Sequence, residues 1–227
     1  YGIGELFIHA IEQGVKKIIV GIGGSATIDG GVGMARACGI KFYDDKGIET
    51  GAGGKSMKSI SMIDISSLDK RIRACEITVA CDVRNVLAGK EGAAFVYGRQ
   101  KGASDADIIE LDNGLKHLAD LIRGDLKQSV NELPGGGAAG GMGAGIAAFL
   151  NGNLKNGFEL IADHAGLDEW IRKADLVITG EGKMDEQTMY GKTPAGVASM
   201  AKAANKPVLA FAGSLAGKPG TLTNNKG

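Results

Sequence analysis

The sequence predicts an α/β fold, and two observations support this. Short β-branched apolar runs alternate along the chain with longer segments in which apolar residues recur every three or four positions. Glycine is also unusually frequent, with 38 in 227 residues, and these glycines gather at joints between the segments. Because ligands of open α/β proteins bind where strands give way to helices, these joints are the candidate functional sites.

The first half of the chain alternates between predicted helices and strands. Apolar residues over 4–14 follow one helical stripe, and Gly14 is suited to ending this helix. The β-branched run 15–20 is bounded by glycines and predicts a buried strand. The segments that follow are a glycine turn opening a small-residue helix (21–39), a hairpin or strand–turn pair (40–49), a loop (51–59) and a strand ending in a carboxylate (75–82).

The most regular helix is predicted in the second half, over residues 104–128. Its apolar residues recur at intervals of three and four, Ser104 is placed to cap its N-terminus, and Asp105 and Asp107 favour its first turn. The later segments are a glycine joint running into a helix (134–152), a helix (156–174), a strand (175–179), a helix with Pro194 at its start (193–206) and a strand (207–213). This succession, with few hairpins, again indicates α/β architecture.

Composition and charge exclude several classes of protein. The 26 basic residues balance the 26 acidic ones, so the chain has no electrostatic footprint for nucleic acid or an anionic membrane. No apolar run approaches the roughly 20 residues that a membrane helix needs, and the first residues lack a signal-peptide pattern. Cys38, Cys75 and Cys81 are odd in number and lack C-x-x-C spacing, which suits a reducing compartment. We therefore expect a cytoplasmic protein that acts on a small molecule, without nucleic-acid or membrane partners and with homo-oligomer formation left open.

The stretch TGEGKMDEQTMYGKTP (179–194) ends in Gly191-Lys192-Thr193, the tail of a phosphate-binding loop. The full pattern G-x-x-x-x-G-K-[ST] needs a glycine at position 186, where Glu186 stands. A carboxylate there would repel the phosphate that the backbone amides of a glycine turn attract. The sequence therefore excludes a Walker A loop at this position.

The first glycine joint, from Gly21 to Ala26, follows a predicted strand and matches the dinucleotide fingerprint G-x-G-x-x-G/A. Asp44 lies at about the separation expected of an acid that binds a ribose. The pattern leaves a NAD(P)-dependent oxidoreductase open, while a plain strand-to-helix turn explains it equally well. Asp29 is expected near the N-terminus of the following helix, facing the strand ends.

The second joint, residues 80–103, contains Asp82 at the end of an apolar strand. Its carboxylate is expected at the sheet edge, where open α/β sheets meet their ligands. Neutral and cationic donors follow within twenty residues: Asn85, Lys90, Arg99 and Lys101. Such a mixture suits a small polyhydroxy acid or a phosphate, although each cation taken singly reads equally as a solvated surface charge.

A third joint leads into a helix and consists of Gly135, Gly136, Gly137, Gly140, Gly141 and Gly143. Consecutive residues without side chains allow successive N–H groups to converge on an anion at a helix N-terminus. Close packing of that helix is an equal explanation.

In the fourth joint, the strand over 175–179 is predicted to run into a turn, Gly180-Glu181-Gly182, and then to Asp185. Two carboxylates on such a turn suit Mg²⁺, which takes oxygen ligands and bridges phosphates. Lys192 and Thr193 open the next helix, where an ammonium, a hydroxyl and the N-terminal amides favour an anion. A helix cap beside a surface lysine is the alternative.

Four stretches, in this order, closely resemble the bacterial glycerate kinase family, the type that lacks a Walker loop. They are GIGGSATIDGGVGMARACG, ACDVRNVLAGKEGAAFVYGRQKGA, PGGGAAGGMGAG and DLVITGEGKMDEQTMYGKTPAGVA. The resemblance covers nearly the whole chain up to about Gly213. It implies ATP- and Mg²⁺-dependent phosphorylation of D-glycerate, with the 2-phospho product favoured.

The resemblance also implies two α/β domains with a cleft between them. We expect a glycine-rich α/β domain on the substrate side over residues 1–168, and part of a Rossmann- or flavodoxin-like domain, truncated, over 169–227. Family members carry an Asp-Ser-Phe-Lys segment near their start, which this chain lacks, and they continue well past the strand at 207–213, whereas this chain stops after SLAGKPGTLTNNKG. It also has Val86 where the family usually has proline. We therefore expect an internal fragment that lacks both ends.

Candidate roles follow from residue chemistry, at positions that the resemblance supports. Asp82 is expected to act on the glycerate hydroxyl as base or orienting group, with Asp29 as a second catalytic candidate. The remaining candidates are Ser25, Asn85 and Arg99 for the substrate; Gly135, Gly136, Gly137, Gly140, Gly141, Lys192 and Thr193 for the phosphates of ATP; and Glu181 and Asp185 for Mg²⁺. An oxidoreductase using the Gly21–Ala26 turn and a non-catalytic ligand-binding fragment stay open as alternatives.

Overall fold

The computed structural model describes residues 1–184 and 193–216. It confirms the α/β prediction, because helices alternate with strands and two of its sheets contain parallel pairs. In these described ranges, no helix is both long enough and apolar enough to cross a membrane. The chain divides into two compact units, Tyr1–Leu154 and Lys155–Gly227.

The first unit contains the predicted elements in their predicted order, together with four short elements that the sequence did not indicate, at 62–64, 70–73, 93–97 and 153–155. Its helices are α1 (Gly2–Glu12), α2 (Val32–Ala37), α3 (Lys70–Arg73), α4 (Ala93–Tyr97), α5 (Asp105–Leu126) and α6 (Ala138–Leu150). Its strands are β1 (Lys17–Gly21), β2 (Lys41–Tyr43), β3 (Met62–Asp64) and β4 (Glu76–Ala80), and β5 (Asn153–Lys155) lies at its C-terminal boundary. Two short 3-10 turns, Gly54–Ser59 and Arg99–Lys101, complete it.

Strand β4 lies between β1 and β5 in the main sheet. Strands β1 and β4 run parallel, from Lys17 opposite Glu76 to Gly21 opposite Ala80, so both end at the same edge. Of the hairpin and the strand–turn pair left open over 40–49, the structure has the second: β2 is followed by a turn and a single bridge, and β2 pairs along its length with β3.

Helix α5 confirms the most regular pattern in the sequence. The Ser104 hydroxyl oxygen accepts from the Asp107 backbone N–H at 3.2 Å, and the Asp107 carboxylate accepts from the Ser104 N–H at 3.0 Å, which completes a capping box. The buried face of the helix includes Ile108, Leu115, Leu118 and Ile122. Burial of such side chains contributes about 1.5–3 kcal/mol each, so packing on the core stabilises this helix more than its cap does.

The second unit contains α7 (Gly157–His164), α8 (Leu167–Lys173), β6 (Val177–Met184), α9 (Thr193–Ala203) and β7 (Val208–Leu215). Strands β6 and β7 form a parallel pair. The single helix predicted over 156–174 is two helices, because Gly166 between them adopts a left-handed backbone with φ of 61°.

A small apolar core of its own holds the second unit together. Its buried members are Ile171, Val177, Val197 and Ala201. Phe158 of α7 and Leu167 of α8 pack against this core. A boundary after residue 168 would divide α8, so packing groups α7 and α8 with the strands and the helix that follow them.

Strand β6 is longer than the sequence predicts. The turn expected at 180–182 is wrong, because Gly180 and Glu181 lie in the strand opposite Phe211 and Ala212 of β7. A Cβ at Gly180 would lie 2.6 Å from the Phe211 carbonyl oxygen. The glycine therefore permits close approach to the neighbouring strand and does not end its own.

Candidate functional site

The candidate site lies at the carboxyl ends of β1 and β4. These parallel strands end together, with Gly21 opposite Ala80, and a loop follows each of them, 22–31 and 81–92. We call these two loops, together with the start of α6 and the Arg99–Lys101 turn, the strand-end site. Ligands of open α/β sheets bind at this kind of position.

Asp29 is buried in the first loop, with 6% of its surface exposed. One carboxylate oxygen accepts from the Gly31 backbone N–H and the other from the Gly33 N–H, each at 3.0 Å. A carboxylate that accepts from the amides before and within the first turn of α2 stabilises this helix end. This geometry favours a structural role for Asp29 over the predicted catalytic one.

The third glycine joint packs directly onto this loop. Gly140 accepts from the Gly30 N–H at 3.1 Å, and a Cβ at Gly140 would lie 1.9 Å from the Thr27 carbonyl oxygen. A Cβ at Gly141 would lie 2.7 Å from the Gly30 Cα. Backbone therefore meets backbone here, and any side chain would separate the two segments.

The consecutive glycines before α6 pack closely against the second loop, which follows β4. The N–H of Gly136 donates to Leu133 O at 2.8 Å, and that of Gly137 donates to Asn85 O at 2.9 Å. A Cβ at Gly135 would lie 2.9 Å from the Cys81 sulfur. All three glycines are buried. At these positions the described contacts favour close packing over a phosphate cradle, because two of the amides already have backbone acceptors.

Lys101 is the polar group that ties the Arg99–Lys101 turn to the first loop. Its Nζ donates to Ser25 Oγ and to Thr27 O, both at 2.7 Å, and the side chain is half-buried. Burial lowers the pKa of Lys101, and the negative charge of Asp29 partly opposes this. Sequence reasoning placed Lys101 only among general donors, because nothing local separates it from the exposed Arg99 and Lys90.

Asn85 is held inside the second loop by two hydrogen bonds. The Tyr97 hydroxyl donates to Asn85 Oδ1 at 2.6 Å, and Asn85 Nδ2 donates to Glu91 O at 2.9 Å. Burial raises the pKa of Tyr97, and a thiolate at Cys81 would act in the same direction. Asn85 thus shapes the loop, and Tyr97, which the sequence did not indicate, sets its side-chain orientation.

Asp82 and Arg99, the two charged residues predicted for this site, are both exposed. Asp82 lies two residues beyond the end of β4, at the sheet edge where the sequence placed it. Burial raises the pKa of the adjacent Cys81 thiol, and the charge of Asp82 acts in the same direction. Arg99 Nη2 forms an ion pair with Asp105 at 2.7 Å, with about three quarters of each side chain exposed.

The remaining predicted residues belong to the second unit. Glu181 lies within β6, half-buried, and Thr193 is the first residue of α9. Asp185 and Lys192 lie outside the described residues. Within ranges 1–184 and 193–216, no group of three or more His, Cys, Asp or Glu side chains is placed to hold a metal ion.

The dinucleotide fingerprint does not have the structure that it requires. Helix α2 begins only at Val32, well after the Gly21–Ala26 turn, so that turn opens no helix. The Asp44 carboxylate accepts from the backbone N–H groups of Lys46 and Ile48 at 2.9 and 2.8 Å, which makes it a turn residue. The geometry therefore argues against the oxidoreductase alternative, which needs a helix N-terminus at the glycines.

Comparison with known proteins shows which family the chain resembles. A family model described as the glycerate kinase family matches residues 1–226. Glycerate 2-kinase of Escherichia coli is 51% identical over 221 residues, which are 97% of this chain and 58% of that protein. Glycerate kinase of Halalkalibacterium halodurans is 52% identical, over 95% of this chain and 57% of that protein.

A solved structure shows the same similarity in three dimensions. The crystal structure of a protein assigned as glycerate kinase 2 from Salmonella typhimurium LT2 matches with a TM-score of 0.85 and 52% identity. The match covers 94% of this chain and 57% of that protein, so the chain spans somewhat over half the length of its relatives. Since the family model matches the chain almost from end to end, the chain belongs to the glycerate kinase family.

Proposed function

We propose that the complete protein transfers a phosphoryl group from ATP to a hydroxyl of D-glycerate, with the 2-phospho product favoured. This proposal rests on the strand-end site. The chain that contains this site is about half identical to relatives named glycerate kinase and glycerate 2-kinase. Because the chain spans 58% and 57% of those two relatives, the proposal concerns the whole protein.

Asp82 is the proposed residue for the reacting hydroxyl. Phosphoryl transfer depends mainly on positioning and charge neutralisation, and a carboxylate that accepts the hydroxyl proton orients the nucleophile. Asp82 is exposed at the carboxyl end of β4, where it can reach a ligand. Ser25 in the loop after β1, and Asn85 in the same loop as Asp82, keep the substrate-binding roles proposed from the sequence.

Glu181 and Thr193 are the proposed contributions of the second unit. The carboxylate of Glu181 has the oxygen chemistry that Mg²⁺ prefers, and Mg²⁺ commonly uses one or two carboxylates together with phosphate oxygens. When bound, the ion would neutralise charge on the phosphates of ATP. Thr193 places a hydroxyl and the amides of the first turn of α9 where they favour an anion. Asp185 and Lys192 keep the roles proposed from the sequence, as second metal ligand and phosphate contact.

We place this reaction in the cytoplasm. Cys38, Cys75 and Cys81 are free thiols, which is the state that a reducing compartment maintains. Fractionation of cells that produce the complete protein would test this placement.

An ADP-release assay on the complete protein tests the proposed function. D-glycerate should support turnover that stops when EDTA removes Mg²⁺, whereas L-glycerate and hydroxypyruvate should be poor substrates. Phosphorus NMR of the product distinguishes 2-phosphoglycerate from 3-phosphoglycerate. Binding of D-glycerate without any ADP release would instead support a non-catalytic ligand-binding protein.

The role of Asp82 has its own test. Asp82→Asn keeps the size and hydrogen-bonding shape of the side chain but removes the carboxylate, so kcat should fall by about 10²–10⁴-fold. Because Asp82 is exposed, the thermal midpoint should stay within a few degrees of wild type. Near-normal turnover by this variant would remove Asp82 from the catalytic step.

A further inference from the structure

We propose that Lys101 binds an anionic oxygen of the ligand in the strand-end site. This inference rests on the proposed kinase function and adds a binding residue that sequence reasoning left unassigned. Lys101 lies at the end of the Arg99–Lys101 turn and reaches the loop after β1.

The first reason is that the hydrogen-bond partners of Lys101 are neutral. Its Nζ donates to the Ser25 hydroxyl and the Thr27 carbonyl, and in the described part of the chain no carboxylate oxygen lies within 4.0 Å of it. An ammonium has three N–H donors. Two are directed at these oxygens, so among the described contacts one donor remains for a ligand.

The carboxylate of Asp29 does not take the place of an anionic ligand at Lys101. The negative charge of Asp29 acts to raise the pKa of Lys101. The two carboxylate oxygens of Asp29, however, accept from the backbone amides of Gly31 and Gly33. The ammonium is also half-buried, and burial disfavours its charged form. A bound anion would compensate for this loss of solvation, whereas a lysine that only tied two loops together would not need its charge.

The position of Lys101 is the second reason. Thr27, which accepts from Lys101, contacts Gly140, and Gly137 in the same glycine run donates to Asn85 of the second loop. Lys101 therefore lies among the contacts that hold together the loop after β1, the glycine run before α6 and the loop after β4. Anionic oxygen could come from the carboxylate of glycerate or from the transferred phosphoryl group, and the two sources can be separated by experiment.

The test compares Lys101→Met, Lys101→Arg and a matched control in the complete protein. Lys70→Met is the control, because Lys70 is an exposed lysine on α3 outside the strand-end site. For each protein, kcat and the KM values for D-glycerate and ATP are measured, together with calorimetric binding of D-glycerate in the absence of ATP. Thermal melts identify variants that fail to fold.

We expect Lys101→Met to lower kcat/KM by about 10–100-fold, as is typical for loss of a hydrogen bond to a charged group, and Lys101→Arg to restore part of this loss. A rise in the D-glycerate KM and weaker calorimetric binding, with the ATP KM unchanged, would assign the glycerate carboxylate. In that case the loss should be absent with glyceramide, which lacks the carboxylate. A fall in kcat with unchanged D-glycerate binding would assign the phosphoryl oxygen.

Wild-type turnover separates this inference from the function on which it rests. If wild type releases no ADP with D-glycerate, the proposed function fails before any variant is compared. If wild type is active and Lys101→Met keeps all three kinetic constants within twofold of Lys70→Met, the proposal for Lys101 is overturned. It is also overturned if Lys101→Met only lowers the thermal midpoint and leaves the D-glycerate affinity, the ATP KM and kcat per folded molecule unchanged.

Discussion

Replacing Gly140 with alanine should destabilise the strand-end site. Gly140 has a left-handed backbone with φ of +71°, and an added Cβ would lie 1.9 Å from Thr27 O and 2.8 Å from Ile28 Cα. A residue with a Cβ loses about 1–2 kcal/mol in this conformation, and overpacking costs a further 1–3 kcal/mol or so. We therefore expect Gly140→Ala to lower the free energy of unfolding by about 2–5 kcal/mol, a large part of the roughly 5–15 kcal/mol that a folded protein has.

Gly47→Ala provides a matched control. Gly47 has nearly the same backbone conformation, with φ of +74°, but nothing lies within 4 Å of an added Cβ. It should lose only the backbone contribution of about 1–2 kcal/mol. Urea denaturation followed by far-ultraviolet circular dichroism measures both free energies, and the difference reports the contact between α6 and the loop after β1. Equal losses for the two variants would refute close packing as the reason for this glycine.

Three further predictions concern other parts of the molecule. Ser104→Ala should lower the free energy of unfolding by about 0.5–2 kcal/mol in urea denaturation, because the capping box of α5 is lost; an unchanged free energy would contradict that contribution. Burial raises the pKa of Cys38 to about 11, so its thiolate is scarce below that pH, roughly one part in a thousand at pH 8. Alkylation followed by mass spectrometry should label Cys38 far more slowly than the more exposed Cys75 in native protein and equally fast in urea; equal native rates would contradict this. Glu181→Gln should raise the Mg²⁺ concentration for half-maximal ADP release by about tenfold, because the oxygen ligand proposed for Mg²⁺ loses its charge, and an unchanged Mg²⁺ dependence would contradict the role proposed for Glu181.

The elements of this protein could be predicted where their signals are local. The cap at Ser104 and the apolar spacing of α5 act within a few residues of one another, and the structure has both. The order of strands and helices follows from the same kind of signal. Local signals were misleading at Gly180, because pairing with β7 carries β6 through a glycine that would otherwise suggest a turn.

The candidate site could be predicted in part. The sequence placed Asp82 at the end of a strand and marked four glycine joints, and the fold brings the first three of them together around the ends of β1 and β4. It did not reveal Tyr97 as the partner of Asn85. Nor did it separate Lys101 from neighbouring cations, since Lys101 donates to Thr27, 74 residues away in the chain.

The sequence by itself therefore determined the α/β class, most of the helices and strands, and the places where ligand chemistry is concentrated. Only the tertiary structure decided what the glycines at those places do. A phosphate cradle and a close backbone crossing both require residues without side chains, so the same letters are compatible with either. The difference lies in what faces each glycine, and at Gly140 that is the carbonyl of Thr27, a contact set by folding across the length of the first unit.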